Sequence, residues 1–423
     1  MQLKNITLKS INKFLICFGI LLLPLFGFKE YLFTLGLYTP DYSNPLTAMA
    51  FTGPYIKGIK DLLLLILCIN FLIYICIGTK NRSIKFPNTI TMLFFFYIIV
   101  QAGAMLAKTN LLITLISIRP FLPLLLVILS YYFIEKEDIQ SIRKAVIVMV
   151  CVEAFLGAIQ FVFGRHHYGA SPLGFGARVS GTFFICQSMG MFMLLGNIFL
   201  LAEDLKTTKQ KRMFAVFSFF ILLTGSATSM IGLLVAIIVK NYYKTRRFLG
   251  RDVIIAAILI LLPLFAVMLP ALSGRGEDIY SRSGYTRLKI FTGLFDAPNT
   301  FPDILVGHGI GYGSNFTILA SLSGQLKSNS VVKAFGTDSF FTSFISQIGI
   351  VGLLLFLYVN FSAWKRSFST KFMLGTIMIP VLLVTGVSAI FTEYFPINWI
   401  YPVILGYVFK QYNYISRQEP VIK

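Results

Sequence analysis

Ten stretches of this chain repeat the length of a bilayer-crossing helix, and that repetition leaves few folds open. They fall near residues 12–34, 59–78, 87–107, 111–133, 143–163, 180–202, 253–272, 338–362, 372–391 and 396–410, the last being short. A hydrocarbon core about 30 Å thick takes about 20 helical residues to cross. Inside lipid every backbone N–H and C=O has to be satisfied within the protein, so such spans are helices. Composition agrees: the 423 residues are 56% hydrophobic and only 13% charged, about half the charged share of a soluble domain. The expected fold is an all-α polytopic membrane protein, with residues 1–423 forming a single helical bundle.

Residues 212–240 do not fit one span. They are apolar for too long, they are interrupted centrally by Gly225-Ser226-Ala227-Thr228-Ser229, and both flanks are basic. Lys206, Lys209, Lys211 and Arg212 precede them, and Lys240, Lys244, Arg246, Arg247 and Arg251 follow. With both flanks on one side the chain enters and returns, as two short helices of about 13 residues and about 20 Å each. Irregular backbone at that depth needs protein or water around it. The total is then about twelve membrane helices. The first follows Lys4, Lys9 and Lys13 without a small-residue cleavage pattern and is expected to be retained.

Twelve crossings put both termini on the same side. Its loops and tails carry 24 Lys and Arg against 11 on the other side. Short-loop charge excess marks the cytoplasmic face, so the long polar segment 273–337, between the ninth and tenth helices, is expected to face outward as a loop subdomain.

The net charge of +20 does not imply nucleic acid, because the excess sits in short connections beside anionic lipid. The five cysteines all fall inside expected spans without ligand spacing, so neither a disulfide framework nor a zinc site is indicated. His166 and His167 are adjacent but have no acidic or thiol partner at useful spacing, so no metal is expected there.

Polar residues that could carry chemistry are few. Arg119, followed by Pro120, lies deep within the fourth expected span, where a charge pairs or serves a function; Glu153, midway along the next span, is its expected structural partner. Gln160 and Gln187 read as interhelical hydrogen-bonding groups. In the long loop, residues 284–295 place Tyr285, Leu288, Phe291 and Phe295 on one helical face, with Arg287 and Lys289 projecting away. With Arg275 and Arg282 they form a cationic cluster, either anchoring to headgroups or suited to pyrophosphate, since guanidinium groups fork onto phosphate oxygens. The run Gly307-His308-Gly309-Ile310-Gly311-Tyr312-Gly313 follows no strand, so it is not a dinucleotide site. It is expected to make a tight turn with backbone amides available to an anion, and His308 is a candidate for direct chemistry. Asp338 opens the next span, as a helix cap or as a catalytic or substrate-positioning acid.

Four pieces in order resemble the O-antigen polymerase and ligase superfamily of bacterial envelope glycan enzymes. They are Arg178-Val179-Ser180-Gly181-Thr182-Phe183 entering a span, Leu223-Thr224-Gly225-Ser226 between the short helices, the glycine run 307–313, and Asp338-Ser339-Phe340-Phe341 followed by Gln347-Ile348-Gly349-Ile350-Val351-Gly352. They cover residues 175–362; the first half of the chain matches only in hydropathy. Where many relatives have Ser-Arg between the short helices, this chain has Ser226-Ala227, so that arginine's role does not transfer. Where ligases show His-Asn at the return from the long loop, this chain has Asp338-Ser339, which favours a polymerase over a ligase.

The resemblance implies a metal-independent glycosyltransferase with no cofactor. It would move a glycan from one undecaprenyl-pyrophosphate carrier onto the terminal sugar of another carrier-linked unit, with membrane lipids and a chain-length regulator protein as further partners. The leaving pyrophosphate is already activated, so arginines can stabilise its charge, and a carboxylate can take the acceptor proton. Asp338, Arg282 and Arg287 are the expected catalytic groups. Arg178 is expected at the pyrophosphate, and Arg119, Arg275, Lys289, His308, Gly309 and Gly311 at the substrate. The alternatives are a ligase transferring glycan to a lipid A core and a transporter or flippase, which would explain the helix count and Arg119 but not the arginine-rich loop.

Overall fold

A computed structural model describes residues 8–39, 54–78, 87–108, 111–164, 178–183, 185–245, 301–312 and 339–418. In chain order its helices are α1 (Leu8–Leu21), α2 (Phe28–Thr34), α3 (Pro54–Gly78), α4 (Thr89–Lys108), α5 (Leu111–Ile118), α6 (Leu126–Phe133), α7 (Lys136–Phe163), α8 (Cys186–Leu201), α9 (Thr208–Thr224), α10 (Ala227–Thr245), α11 (Phe301–Val306), α12 (Phe340–Ser369), α13 (Met373–Thr385) and α14 (Ile397–Gln418). No strand occurs among the described residues.

The bundle is organised around α8, in which every residue except Gln187 is buried. A helix apolar all round has to be covered on all sides, and α7, α9, α10 and α13 supply that cover. A second group packs beside it: α12 lies against α4, α13 and α14, and α14 against α6. Trp399 and Tyr401 of α14 are among the largest fully buried side chains. On the outside, Phe14, Phe96, Phe155 and Phe361 are all more than half exposed, an apolar surface that water would not tolerate and lipid does. Five helical stretches are long and apolar enough to cross a membrane: Leu8–Thr34, Gly58–Cys76, Thr89–Ala107, Lys136–Phe163 and Phe340–Ser369. Shorter apolar helices, Leu122–Phe133, Cys186–Leu201 and Met373–Thr385, accompany them. The protein is a helical membrane protein.

Several expected spans change shape in the structure. The fourth is broken: α5 ends at Ile118, Arg119 and Pro120 form a turn, and a short 3-10 segment, Leu122–Leu125, leads into α6. Pro120 and Pro123 each lack an N–H, so a continuous helix would lose hydrogen bonds there. The pair within 212–240 does turn back at Gly225, but its helices are longer than expected, 17 residues in α9 and 19 in α10. They continue through their basic ends, and α9 starts at a capping box in which Thr207 and Gln210 satisfy each other's backbone N–H. The expected span 253–272 lies outside the described residues, as does the loop 273–337 apart from 301–312.

Candidate functional site

Among the described residues, two of the segments of non-helical backbone that enter the bundle carry part of the pattern singled out in the sequence. The first is residues 178–183. Its amides are held by two side chains of α7 that lie two turns apart on one face. Ser180 N and Gly181 N donate to Gln160 Oε1 at 2.9 and 2.8 Å, and Gln160 Nε2 donates to Ser180 Oγ at 3.1 Å. Thr182 donates to Glu153 with its amide, at 2.9 Å, and with its hydroxyl. Glu153 and Gln160 are completely buried. Buried backbone has to find partners, and here side chains provide them. Gly27, after α1, is backed against this segment: a Cβ there would stand 1.6 Å from Thr182 O.

Glu153 therefore does not pair with Arg119, as the sequence had indicated. Arg119 forms an ion pair with Asp61 of α3 at 2.6 Å. Arg119 lies in the turn with Pro120 that ends α5, and Asp61 supplies the carboxylate there. Lys60, Phe395, Asn398 and Trp399 line the small pocket around this pair.

Arg178 itself reaches the end of α9. Its Nε donates to Thr224 O at 2.8 Å and its Nη2 to Gly225 O at 3.4 Å. Carbonyls at a helix C-terminus have no partner within the helix and carry partial negative charge, so a cation is favoured there. Gly225 stops the helix in the left-handed region, with φ of 59°. The chain restarts as α10 with Ser226 Oγ accepting from Ser229 N at 3.3 Å. Arg178 is half-buried, and a guanidinium carries five N–H donors, more than these two carbonyls occupy.

A polar cluster joins this tip to its neighbours. Gln187, the one residue of α8 that is not buried, donates through Nε2 to Thr228 Oγ1 at 3.2 Å and to Ser388 O at 2.5 Å. Thr228 and Ser388 hydroxyls lie 2.7 Å apart, and Tyr394 OH approaches Gln187 Oε1 at 3.5 Å. The turn after α13 that provides Ser388 also holds the start of α12: Phe340 N donates to Gly386 O at 2.9 Å and Ser339 Oγ to the same oxygen at 3.4 Å. Asp338, the chain neighbour of Ser339, lies outside the described residues. So do Arg275, Arg282, Arg287 and Lys289.

The second segment is the glycine run. It follows α11 and docks on a break in α12, where Gly349 has φ of 68° and ψ of −179°. A break removes the amides that Ser346 O and Gln347 O would receive from one turn further along. His308 N and Gly309 N replace them, at 2.9 and 3.1 Å. Gly311 N donates to Gln347 Oε1 at 2.9 Å. From α4, Tyr97 OH lies 2.9 Å from Ile348 O and 3.1 Å from Val306 O, and Gln101 Nε2 donates to Val306 O at 2.9 Å. The approach is too close for a side chain on either side of the contact. A Cβ on Gly307 would lie 2.5 Å from Gln347 O, and one on Gly349 would lie 2.2 Å from Leu305 O.

This corrects the expectation that the glycine amides serve an anion: those of Gly307, His308, Gly309 and Gly311 are committed to protein oxygens. Gly309 and Gly311 are buried and shape the contact. The His308 ring stacks on Tyr312, centroids 4.2 Å apart, and is half-buried.

The structure thus gathers Arg178, Gln187, Thr228, Ser388 and Tyr394 at one end of the bundle, with Ser339 anchored beside them. Asp61, Tyr97, Gln101, Ser388 and Tyr394 were not singled out in the sequence, and Thr228 only as part of the polar break at 225–229. Tyr97 and Gln101 offered a signal, two polar residues four apart in an apolar span. The others are one polar side chain each and become a group only by folding. No family model matches the chain, and no curated protein matches it.

Proposed function

We propose that the protein is a polyprenyl-pyrophosphate-dependent glycosyltransferase that polymerises a surface polysaccharide, joining carrier-linked oligosaccharide units at the outer, periplasmic face of the inner membrane. One observation carries the reading. The pieces of sequence that resemble the O-antigen polymerase and ligase superfamily meet in pairs: 178–183 with the Thr224–Gly225 tip, and the glycine run with Gln347 and Gly349. Shared packing of the distant pieces supports treating them as one apparatus and not as separate coincidences of composition.

In this reading the acceptor hydroxyl oxygen attacks the anomeric carbon of the donor sugar. The bond from that carbon to the pyrophosphate oxygen breaks, and the carrier pyrophosphate leaves with the electron pair. Asp338 takes the acceptor proton. Arg178, with Arg282 and Arg287 from the long loop, neutralises the leaving oxygens, an electrostatic role that needs fixed donors in a dry site. Anchoring Arg178 on the helix end fixes its position before substrate arrives, so little reorganisation is left for the reaction. Arg119 has its charge met by Asp61 and is assigned to holding α3 against the α5 turn.

The deciding experiment uses purified protein in detergent with lipid-linked oligosaccharide and no sealed compartment. Lengthening of the glycan supports the reading. Failure to lengthen it, alongside substrate movement across vesicles containing the same protein, would favour transport.

A further inference from the structure

Away from this site, α7 and α9 enclose a groove of about 630 Å³ on the bundle surface. Its walls are apolar, with Ala154, Phe155 and Ala158 on one side and Val216 and Phe220 on the other, and Phe155 and Val216 are exposed along it. One end is different in kind. Lys209 and Arg212, one turn apart on α9, stand at that end, and both are exposed.

Among the described residues neither cation enters an ion pair. The carboxylates on the preceding turn are engaged by other groups: Glu203 by Arg143 and Gln210, and Asp204 by Lys240 and Lys244. Two positive charges with no ion-pair partner among the described residues, at the mouth of an apolar groove, fit a molecule with an anionic head and a hydrocarbon tail. A free anion would use only the rim, and a neutral lipid only the walls. From Arg212 to Phe220 the groove runs about 12 Å along α9, enough to seat a stretch of acyl chain.

We infer that this groove is a binding site for an anionic phospholipid, its phosphate on Lys209 and Arg212 and one acyl chain between Phe155 and Val216. Basic side chains at a membrane surface attract anionic headgroups, and the groove adds the shape that holds one lipid in place. The lipid would fill the seam between α7, which carries Glu153 and Gln160, and α9, whose end carries Thr224.

The test is native mass spectrometry of the full-length protein in detergent, loaded with equal amounts of phosphatidylglycerol and phosphatidylcholine. The expected result is retention of phosphatidylglycerol over phosphatidylcholine by about thirtyfold, the effect of two interfacial cations at about 1 kcal/mol each. Lys209→Gln with Arg212→Gln should bring the ratio to near one, whereas Lys209→Arg with Arg212→Lys should preserve it. Ala158→Trp, which fills the groove, should reduce phosphatidylglycerol retention with both cations intact. Thermal melts of all variants identify any that fail to fold, and the charge-preserving pair keeps the comparison valid if the Gln pair unfolds. Equal retention of the two lipids by the unaltered protein overturns the site. Retention indifferent to Ala158→Trp overturns the seating of the chain, and a dimer abolished by Ala158→Trp would assign the groove to a second copy instead.

Discussion

Residues 178–183 and 307–312 both bring irregular backbone into a helical bundle, and they satisfy it by opposite means. The first segment is held by side chains: Glu153 and Gln160 reach from an unbroken α7 and accept its amides. The second is held largely by backbone, because α12 breaks at Gly349 and releases its own carbonyls to the glycine run. A side-chain clasp depends on functional groups, whereas a backbone clasp depends on the absence of side chains. The first is therefore sensitive to loss of polarity, and the second to gain of volume.

The largest effect is expected where volume is added. Gly349→Ala puts a Cβ about 2.2 Å from Leu305 O at a φ of 68°. The strain and overlap together should cost about 3 kcal/mol or more. The measurement is the yield and melting temperature of the purified protein in detergent, and a variant as stable as the parent would remove the backbone clasp from the account.

Next comes loss of polarity at the other clasp. Glu153→Ala strands the Thr182 amide and hydroxyl, and Gln160→Ala strands the amides of Ser180 and Gly181. Each should cost about 2–3 kcal/mol, the penalty for unsatisfied buried donors, while Glu153→Gln keeps an acceptor and should cost less. Equal melting temperatures for Glu153→Ala and Glu153→Gln would show that the acceptor is not what holds the segment.

Activity sharpens the comparison differently, since only the first clasp presents an arginine. Arg178→Lys should leave protein levels intact and abolish long-chain polysaccharide, because an ammonium group cannot make the fork that reaches both Thr224 O and a phosphate. Asp338→Asn should leave a lipid core bearing one unit but no ladder on a gel. A core with no unit at all, from a stable variant whose lipid-linked units are still made and exported, would favour a ligase.

The smallest effect lies outside both clasps, at Asp204. Partial burial pushes its carboxyl up, but the hydrogen bond and charge of Lys244, together with Lys240, outweigh this and hold it below the usual range. A depressed folded-state value means that the stabilisation is present above the ordinary carboxylate pKa of about 4 and is lost as pH falls below it. Partly exposed pairs of this kind contribute about 0–1 kcal/mol. Asp204→Asn should thus barely change the melting temperature at pH 7 and slightly flatten its decline in acid.

The sequence by itself determined the membrane-embedded helical class, most helix positions and the return at Gly225. Those follow from the length of apolar runs and from punctuation by glycine and proline, which are local properties. It also indicated which segments matter, since Arg178, the glycine run and Gly349 stand out among hydrocarbon side chains. Only the tertiary structure decided what they do to one another. Arg119 and Glu153 looked like partners because both are charged and intramembrane, yet Asp61 and Thr182 lie closer in the fold, and hydrogen bonding falls away within a few tenths of an ångström. The amides of the glycine run looked available because sequence shows a donor and not its acceptor; the acceptors appear only when α12 breaks and turns its carbonyls toward residues some forty positions earlier in the chain.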